Sequence, residues 1–349
     1  MTQPQPFVSV IIPCRNEEGL IRMCLDSILF QDYSKENMEV IVVDGMSEDK
    51  TREIVEEYTK KYHFIKLLDN PKKTTPCALN TGIKNARGEI IIRMDAHATY
   101  HPEYITRCVQ YLTGVADGRR QAEFSEFRIP NSEFLCVGGI WRVMPRENTL
   151  QNKAILFATS SIFAAGDAYY RRGYAGKPKW VDTVFGGCYK RTVFEKIGLF
   201  NENLLRAQDL EFNIRLKKAG GKILLVPEII ACYYPKAKLT QFFKHNFQDG
   251  FWTIFAFKFT RTPFKLRHYL PLLLVISLLL LWVFGFKFWL LAWGLYLLLS
   301  LYFSCIIAIK NNDIRLFFIM PIAFGARHFG YGLGSIWGLI RLLSLKPEN

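Results

Sequence analysis

The chain has 349 residues, half of them hydrophobic, with a formal net charge of +14, a length that suits one large or two modest domains. Residues 1–235 alternate charged and apolar segments as a soluble α/β protein does, whereas from Lys236 onward 13 Lys and Arg stand against 3 Asp and Glu, a net +10. This excess lies beside long apolar runs and no zinc-finger spacing accompanies it, which points to anionic lipid headgroups and away from nucleic acid.

Met1–Pro6 has neither a basic n-region nor an apolar h-region, so it is not expected to be a signal peptide. Phe7–Pro13 (FVSVIIP) is a β-branched run and the first expected strand. The turn Cys14–Glu18 leads into a helix with Leu20, Ile21, Cys24, Leu25 and Ile28 on one face. Val40–Val43 is a second buried strand ending at Asp44. Ser47 is the expected N-cap of a helix over Asp49–Tyr62. Ile65–Leu68 is a third strand, and a helix over Cys77–Ala86 precedes a fourth, Ile90–Met94.

This β-α-β-α-β order describes a doubly wound nucleotide-binding half. It contains no G-x-G-x-x-G and no G-x-x-x-x-G-K-[ST], which argues against a dinucleotide fold and a P-loop NTPase. The fourth strand ends in Asp95-Ala96-His97, two metal-capable side chains at i and i+2. Open α/β sheets bind ligands at the carboxyl ends of their strands, where a carboxylate and an imidazole suit a divalent ion held against a diphosphate. A turn Asp and a surface His, or acids that only cap helices, are the competing explanation for Asp95, His97 and Asp44.

Residues 118–150 read as irregular around Gly138-Gly139, and the basic, aromatic stretch Tyr169–Trp180 reads as a mobile loop. A helix follows from Thr192. Ala207–Leu216 is an amphipathic helix with Asp209 in its first turn and Gly220-Gly221 at its C-cap. The eight cysteines form no C-x-x-C pair and fall largely in apolar segments, the pattern of reduced, buried thiols. Thr240–Thr260 is dense in Phe and suits a helix in the headgroup layer. Tyr269–Phe286 and Phe288–Ile309 lack charged residues apart from Lys287 between them, and the second is 22 residues long, enough to span a bilayer. Ile314–Ile340 is apolar but interrupted by Pro321, Arg327 and His328, so it can span, re-enter or fold along the surface. Basic residues before the first run and after the second place the first half in the cytoplasm. The expected organisation is therefore 1–235 as a cytoplasmic catalytic domain, 236–268 as a membrane-interface segment and 269–349 as a transmembrane region of two or three spans.

Five segments taken together, FVSVIIPCRNE (7–17), VVDGMSEDKT (42–51), RMDAH (93–97), FGGCYKR (185–191) and QDLEFNIRL (208–216), resemble the family 2 glycosyltransferases. The likeness runs over nearly the whole chain and is greatest to membrane-bound enzymes of the succinoglycan glucosyltransferase type, which share D-A-H and the LRHYLP stretch (266–271). It implies an α/β GT-A domain, a Rossmann-like mixed sheet that binds a nucleotide sugar, followed by interfacial and transmembrane helices. It implies that Pro13, Arg15 and Glu17 surround the base and ribose and that Asp44 recognises the base. Asp95 matches the first acid of D-x-D, near ribose and metal, and His97 stands where the family usually has the second, metal-binding Asp. That replacement favours Mn²⁺ over Mg²⁺, and the polypeptide GalNAc-transferases use the same D-x-H form. Asp209 matches the general base of the E-D motif, with Gln208 in place of its Glu; Gly186, Gly187 and Gln208 fall on the acceptor side. Gln248–Trp252 keeps the ends of the processive Q-x-x-R-W motif but has Phe251 where Arg belongs.

The expected activity is that of an inverting, non-processive, metal-dependent hexosyltransferase in cell-surface polysaccharide (exopolysaccharide) synthesis. It moves a sugar from a nucleotide-diphosphate donor, a UDP-sugar by expectation, to a lipid-linked acceptor at a bacterial-type inner membrane. The rivals are a transferase acting directly on polyprenyl phosphate and a catalytically idle nucleotide-sugar-binding scaffold.

Overall fold

The computed structural model describes residues 5–114 and 135–344. They form two compact units, one of residues up to 142 together with 173–233, the other of 143–172 together with 234 onward. Residues 143–172 thus cluster with the C-terminal helices and not with the sheet they follow in sequence.

The first unit is a mixed sheet flanked by helices. In chain order its elements are β1 (Val8–Cys14), α1 (Ile21–Leu29), β2 (Met38–Asp44), α2 (Thr51–Lys61), β3 (Ile65–Asp69), α3 (Thr75–Asn85), β4 (Ile90–Arg93), β5 (Ala98–Tyr100), α4 (Tyr104–Thr113) and β6 (Leu135–Val143). Two helices outside this unit, α5 (Leu150–Ser160) and α6 (Ile162–Ala165), come next. The sheet unit resumes with β7 (Lys179–Trp180), β8 (Phe185–Lys190), α7 (Arg191–Ile197), α8 (Gln208–Lys218) and β9 (Lys222–Tyr233). Strand order is β3-β2-β1-β4-β8-β6-β9-β5, with β7 on β9. The first four strands are parallel, and β8 joins β4 antiparallel with Ile92 opposite Cys188. The parallel strands are continuous Val and Ile runs because both faces are covered: every residue of β2 is buried. Even Glu39 is fully buried there, its carboxylate accepting from Ser9 Oγ, the Arg87 backbone N–H and Lys66 Nζ at 2.7–2.8 Å. All eight cysteines are free thiols.

Three local expectations change. Of the stretch 118–150 read as irregular, residues 118–134 lie outside the described residues, but 135–143 is a regular strand. Its Gly139 lets the backbone of β9 approach: an added Cβ would stand 1.8 Å from the Ile229 carbonyl oxygen. Ser47 does not cap α2; the first N–H of that helix, on Thr51, donates to Asp49 Oδ1 at 2.9 Å, and the Ser47 hydroxyl is taken by Asp44. Tyr169–Trp180 is not one loop, since it holds a 3₁₀ turn at Tyr169–Arg171 and ends in β7.

The second unit is helical: α5 and α6, then α9 (Leu239–Phe255), α10 (Phe257–Thr260), α11 (Leu270–Phe284), α12 (Phe286–Lys310) and α13 (Arg315–Leu343). Among the described residues α12 alone is long and apolar enough to cross a membrane; α11 is as apolar but has 15 residues. Both present wide apolar faces, with Phe284 and Leu291 respectively 81% and 70% exposed. α13 runs unbroken through Pro321. Glycines at spacing four on α13 seat it against α9: a Cβ on Gly330, Gly334 or Gly338 would meet the carbonyl oxygens of Phe243, Phe247 and Phe251 at 2.9, 1.9 and 2.6 Å. The rising numbers on both partners mean that the two helices run in the same direction.

Candidate active site

The site is built on the carboxyl ends of β1, β2 and β4. β1 and β2 pair in register down to Cys14 opposite Asp44, so the loops that follow leave the sheet side by side. They are stitched together. Asn16 N–H donates to Ser47 Oγ at 2.9 Å, and Glu48 N–H donates back to Asn16 Oδ1 at 2.9 Å. Glu17 N–H donates to Thr51 Oγ1 at 2.7 Å, while Glu18 and Lys50 exchange further bonds with Asp49 and Glu18 carboxylates. Asn16 and Met46 hold positive φ of 53° and 55°, a conformation Asn tolerates well and Met poorly. The buried Asp44 carboxylate accepts from the Ser47 N–H at 3.0 Å and the Ser47 hydroxyl at 2.5 Å, with Arg52 Nη1 3.7 Å away. It therefore organises its own loop as well as ending its strand. Pro13 is half-buried on β1, and Arg15 is exposed, its Nη2 3.5 Å from Glu48.

Asp44 and Asp95 end strands two positions apart in the sheet, roughly 10 Å at the usual strand spacing. They do not touch. The backbone of Asp95 is clamped: its N–H lies 2.5 Å from Tyr100 Oη, its carbonyl accepts from Tyr100 Oη at 3.2 Å and Cys24 Sγ at 3.6 Å. Its side chain accepts from Arg93 Nε at 3.0 Å. Burial pushes the Asp95 carboxyl up, but the nearby Arg93 and His97 charges outweigh it and hold the group below the usual carboxylate range. His97 Nδ1 lies 3.3 Å from Glu17 Oε1, and the imidazole sits edge-on to Tyr233, which stacks on Trp141 at 4.3 Å. Glu17, expected at the base and ribose, is thus also the neighbour of His97.

Asp209 is the second residue of α8, after Ala207 at φ +59°. α8 is fixed from behind. Phe212 packs with Phe194, Phe200 and Tyr189. Arg215 ties to Glu211 and to the carbonyls of Ile197 and Leu199. Arg93, hydrogen-bonded to the strand-end acid Asp95, also lies within electrostatic reach of the helix acid Asp209. Burial alone lowers the pKa of that guanidinium, yet Asp95 and Asp209 together raise it well beyond the normal range. In the sequence Arg93 stands out only by its charge. Its signal was a charged residue closing an Ile-only run.

Gly186 and Gly187 lie on β8 beside this strand end. Gly186 has φ +59°, and a Cβ there would strike Tyr104 Oη at 2.4 Å and approach the Arg93 carbonyl at 3.1 Å. Gln208 is buried, and its Oε1 has no hydrogen-bond partner among the described residues, an acceptor held without a donor. No group of three His, Cys, Asp or Glu forms a protein-only metal cage among those residues. Asp95 and His97 fit a divalent cation as two ligands of mixed hardness, the remaining positions falling to ligand oxygens.

Comparison with known proteins agrees with this arrangement. The profile of Glycosyl transferase family 2 matches residues 9–177. The chain is 30% identical over 247 residues, 70% of its length and 72% of the relative's, to dolichyl N-acetyl-alpha-D-glucosaminyl phosphate 3-beta-D-2,3-diacetamido-2,3-dideoxy-beta-D-glucuronosyltransferase of Methanococcus voltae. It is 29% identical over 265 residues, 75% and 74% of the two chains, to the succinoglycan biosynthesis protein ExoA of Rhizobium meliloti. In fold it is similar to the mannosyltransferase PcManGT of Pyrobaculum calidifontis, solved with GDP-Man and Mn²⁺, at TM-score 0.58 and 20% identity, covering 96% of this chain and 88% of that one. A parallel half, an antiparallel half carrying the helix acid, and likeness in sequence to the family converge on one assignment: the chain belongs to glycosyltransferase family 2 and has the GT-A fold.

Proposed function

We propose that the chain is a membrane-anchored, inverting, non-processive glycosyltransferase that moves a sugar from a nucleotide-diphosphate donor to a lipid-linked acceptor. The observation that carries this reading is Arg93, whose Nε lies 3.0 Å from Asp95 Oδ1 and which is also within electrostatic reach of Asp209. It brings an acid suited to the diphosphate side and an acid suited to a proton into one site.

In this reading the loops after β1 and β2 hold the nucleotide, with Asp44 at the base and Pro13, Arg15 and Glu17 around base and ribose. Asp209 accepts the acceptor's hydroxyl proton as that oxygen attacks the anomeric carbon and the bond to the diphosphate breaks. One in-line displacement of this kind inverts the anomeric centre. Arg93 helps hold the buried Asp95 carboxyl below the usual carboxylate range. Gly186, Gly187 and Gln208 border the acceptor, the free Gln208 Oε1 being an acceptor for a sugar hydroxyl. Asp95 and His97 would hold a divalent cation, Mn²⁺ in preference to Mg²⁺, which when bound neutralises charge on the leaving diphosphate.

The exposed faces of α11 and α12 support a membrane anchor, with 236–268 in the headgroup layer and the sheet unit on the cytoplasmic side of a bacterial-type inner membrane. The names of the Methanococcus and Rhizobium relatives support a lipid-linked acceptor and a role in polysaccharide or glycoconjugate synthesis. A UDP-sugar is the favoured donor, and the Mn²⁺ complex of the mannosyltransferase supports the metal.

The test is a donor screen on the detergent-solubilised full chain, with nucleoside-diphosphate release and product mass as readouts. Release that depends on a lipid-linked sugar, with a product one hexose heavier, is expected. A product consisting of a single sugar on polyprenyl phosphate, or no release with any donor, would overturn the reading.

A further inference from the structure

The two candidate metal ligands are each held at one atom and left open at another. Asp95 Oδ1 accepts from Arg93 Nε at 3.0 Å, and its Oδ2 has no hydrogen-bond partner among the described residues. His97 Nδ1 lies 3.3 Å from Glu17 Oε1, and its Nε2 has no partner among those residues.

Glu17 is held firmly enough to direct its neighbour. Its N–H donates to Thr51 Oγ1 at 2.7 Å. Its carbonyl accepts from the N–H groups of Leu20 and Ile21 at 2.9 and 2.8 Å, where α1 begins. The side chain is 13% exposed, so this is not one of the loose ion pairs of a protein surface. Tyr233 bounds the imidazole as well. It stands opposite Ala98 in the pairing of β5 with β9, lies edge-on to His97 at 5.4 Å and is itself stacked on Trp141 at 4.3 Å.

A neutral imidazole carries one N–H and one lone pair, and a carboxylate beside one nitrogen keeps the proton there. The lone pair then belongs to the other nitrogen. Histidines that ligate metals commonly have such a carboxylate behind them, which fixes ring and tautomer and makes the ligand more basic. A residue that served only a ribose hydroxyl would have no need of an imidazole beside its oxygen.

We propose that Glu17 is a positioning residue for His97: its carboxylate holds the proton on Nδ1 and so leaves the Nε2 lone pair for a divalent cation. The inference rests on the reading of His97 as a metal ligand, and it adds a second task to a residue placed above around base and ribose.

Calorimetric titration of Mn²⁺ into the detergent-solubilised full chain at saturating nucleotide is the measurement, run as a double-mutant cycle. Glu17→Gln, whose amide can turn an N–H toward Nδ1 and favour the other tautomer, is expected to weaken Mn²⁺ binding about 10-fold, the scale of a partner lost from behind a metal ligand. Glu17→Asp keeps the carboxylate and is expected to recover part of that loss. In the His97→Ala background Glu17→Gln is expected to cost nothing further, since two residues that act through one another are not additive. In the metal-free wild-type chain at alkaline pH, the ¹⁵N signals of His97, identified by their absence in His97→Ala, are expected to show the proton on Nδ1; this readout stands whatever the Glu17 variants do to folding. Unchanged affinity in Glu17→Gln beside a loss in His97→Ala, a second loss of equal size in the double variant, or the proton on Nε2 would each overturn the inference and leave His97 a ligand. No loss in His97→Ala would overturn the ligand reading and this inference with it.

Discussion

Arg93 donates from Nε to Asp95 Oδ1 at 3.0 Å while also feeling the charge of Asp209. Burial would raise the Asp95 carboxyl, and this cation is the main charge that holds it below the usual carboxylate range. Removing it in Arg93→Gln takes away the largest charge holding that carboxyl down, so the Asp95 carboxyl should titrate at higher pH. The acid limb of the kcat–pH profile should move upward, and Arg93→Lys should restore most of the wild-type position. An unmoved limb with lower turnover would show that Arg93 acts through packing alone.

Asp209→Asn keeps size and hydrogen bonding but removes the basic oxygen. Turnover should fall on the order of 10²-fold or more, within the range of general-base assistance, with donor affinity little changed. Asp44→Asn should act on the nucleotide instead. Because the Ser47 N–H and hydroxyl both depend on that carboxylate, weaker donor binding should come with a looser loop after β2. Nucleotide titration and single-turnover rates on both variants check the split. Near-normal turnover in Asp209→Asn would reduce that acid to a helix-terminus charge, since Asp and Asn are comparable caps.

His97→Ala should weaken Mn²⁺ affinity by about 10-fold, the scale seen when metal-site groups are lost. Calorimetric titration of Mn²⁺ into the nucleotide-bound chain measures this directly. Equal affinity in the variant would remove His97 from the ligand set and leave it as the partner of Glu17.

Gly334→Ala should destabilise the helical unit by about 1–3 kcal/mol, the range for overpacking a filled contact, because its Cβ would fall 1.9 Å from the Phe247 carbonyl oxygen. Gly325→Ala, whose Cβ meets nothing nearer than 3.7 Å, should be tolerated and even gain helix propensity. Melting temperatures in a single detergent compare the two.

Glu202 accepts from Lys72 Nζ at 2.6 Å and Asn80 Nδ2 at 3.0 Å, bonds that depress its carboxyl to about 2. A depressed folded-state value stabilises the fold above the unfolded carboxylate range, near pH 4, and the gain is lost as pH falls through 2. The stability difference between wild type and Glu202→Gln should be constant from pH 7 to 5 and shrink below pH 4. A difference independent of pH would assign it to the shape of the side chain.

What could be read from the sequence divides along physical lines. β1 to β4 were legible because buried parallel strands are Val and Ile runs that need no partner to be recognised. β6 was not, since Gly138-Gly139 looks like a loop until the carbonyl of Ile229 is seen to fill the space where side chains would be. The cap assigned to Ser47 failed for a related reason: its hydroxyl has better partners on a neighbouring strand and loop. Arg327 and His328 broke the apolar pattern of α13 without breaking the helix, because Asn246, Ala164, Tyr296 and Phe163 receive them. The acids were legible through motif resemblance; the arginine that bonds Asp95 and feels the charge of Asp209 stands 116 positions from the latter, a relation no local pattern announces.

The stitching of the loops after β1 and β2 has a consequence for redesign. Each loop's backbone is satisfied by the other's side chains, through Asn16, Glu18, Ser47, Asp49 and Thr51. Neither segment is an independent module. A donor-swapped chimera that imported one loop from a relative would strand amides on both, whereas a graft of 14–19 together with 44–51 carries its own closure. Natural drift in donor choice would then advance by paired exchanges across these two segments, and a library that randomises both at once would search a space that single-loop libraries cannot reach.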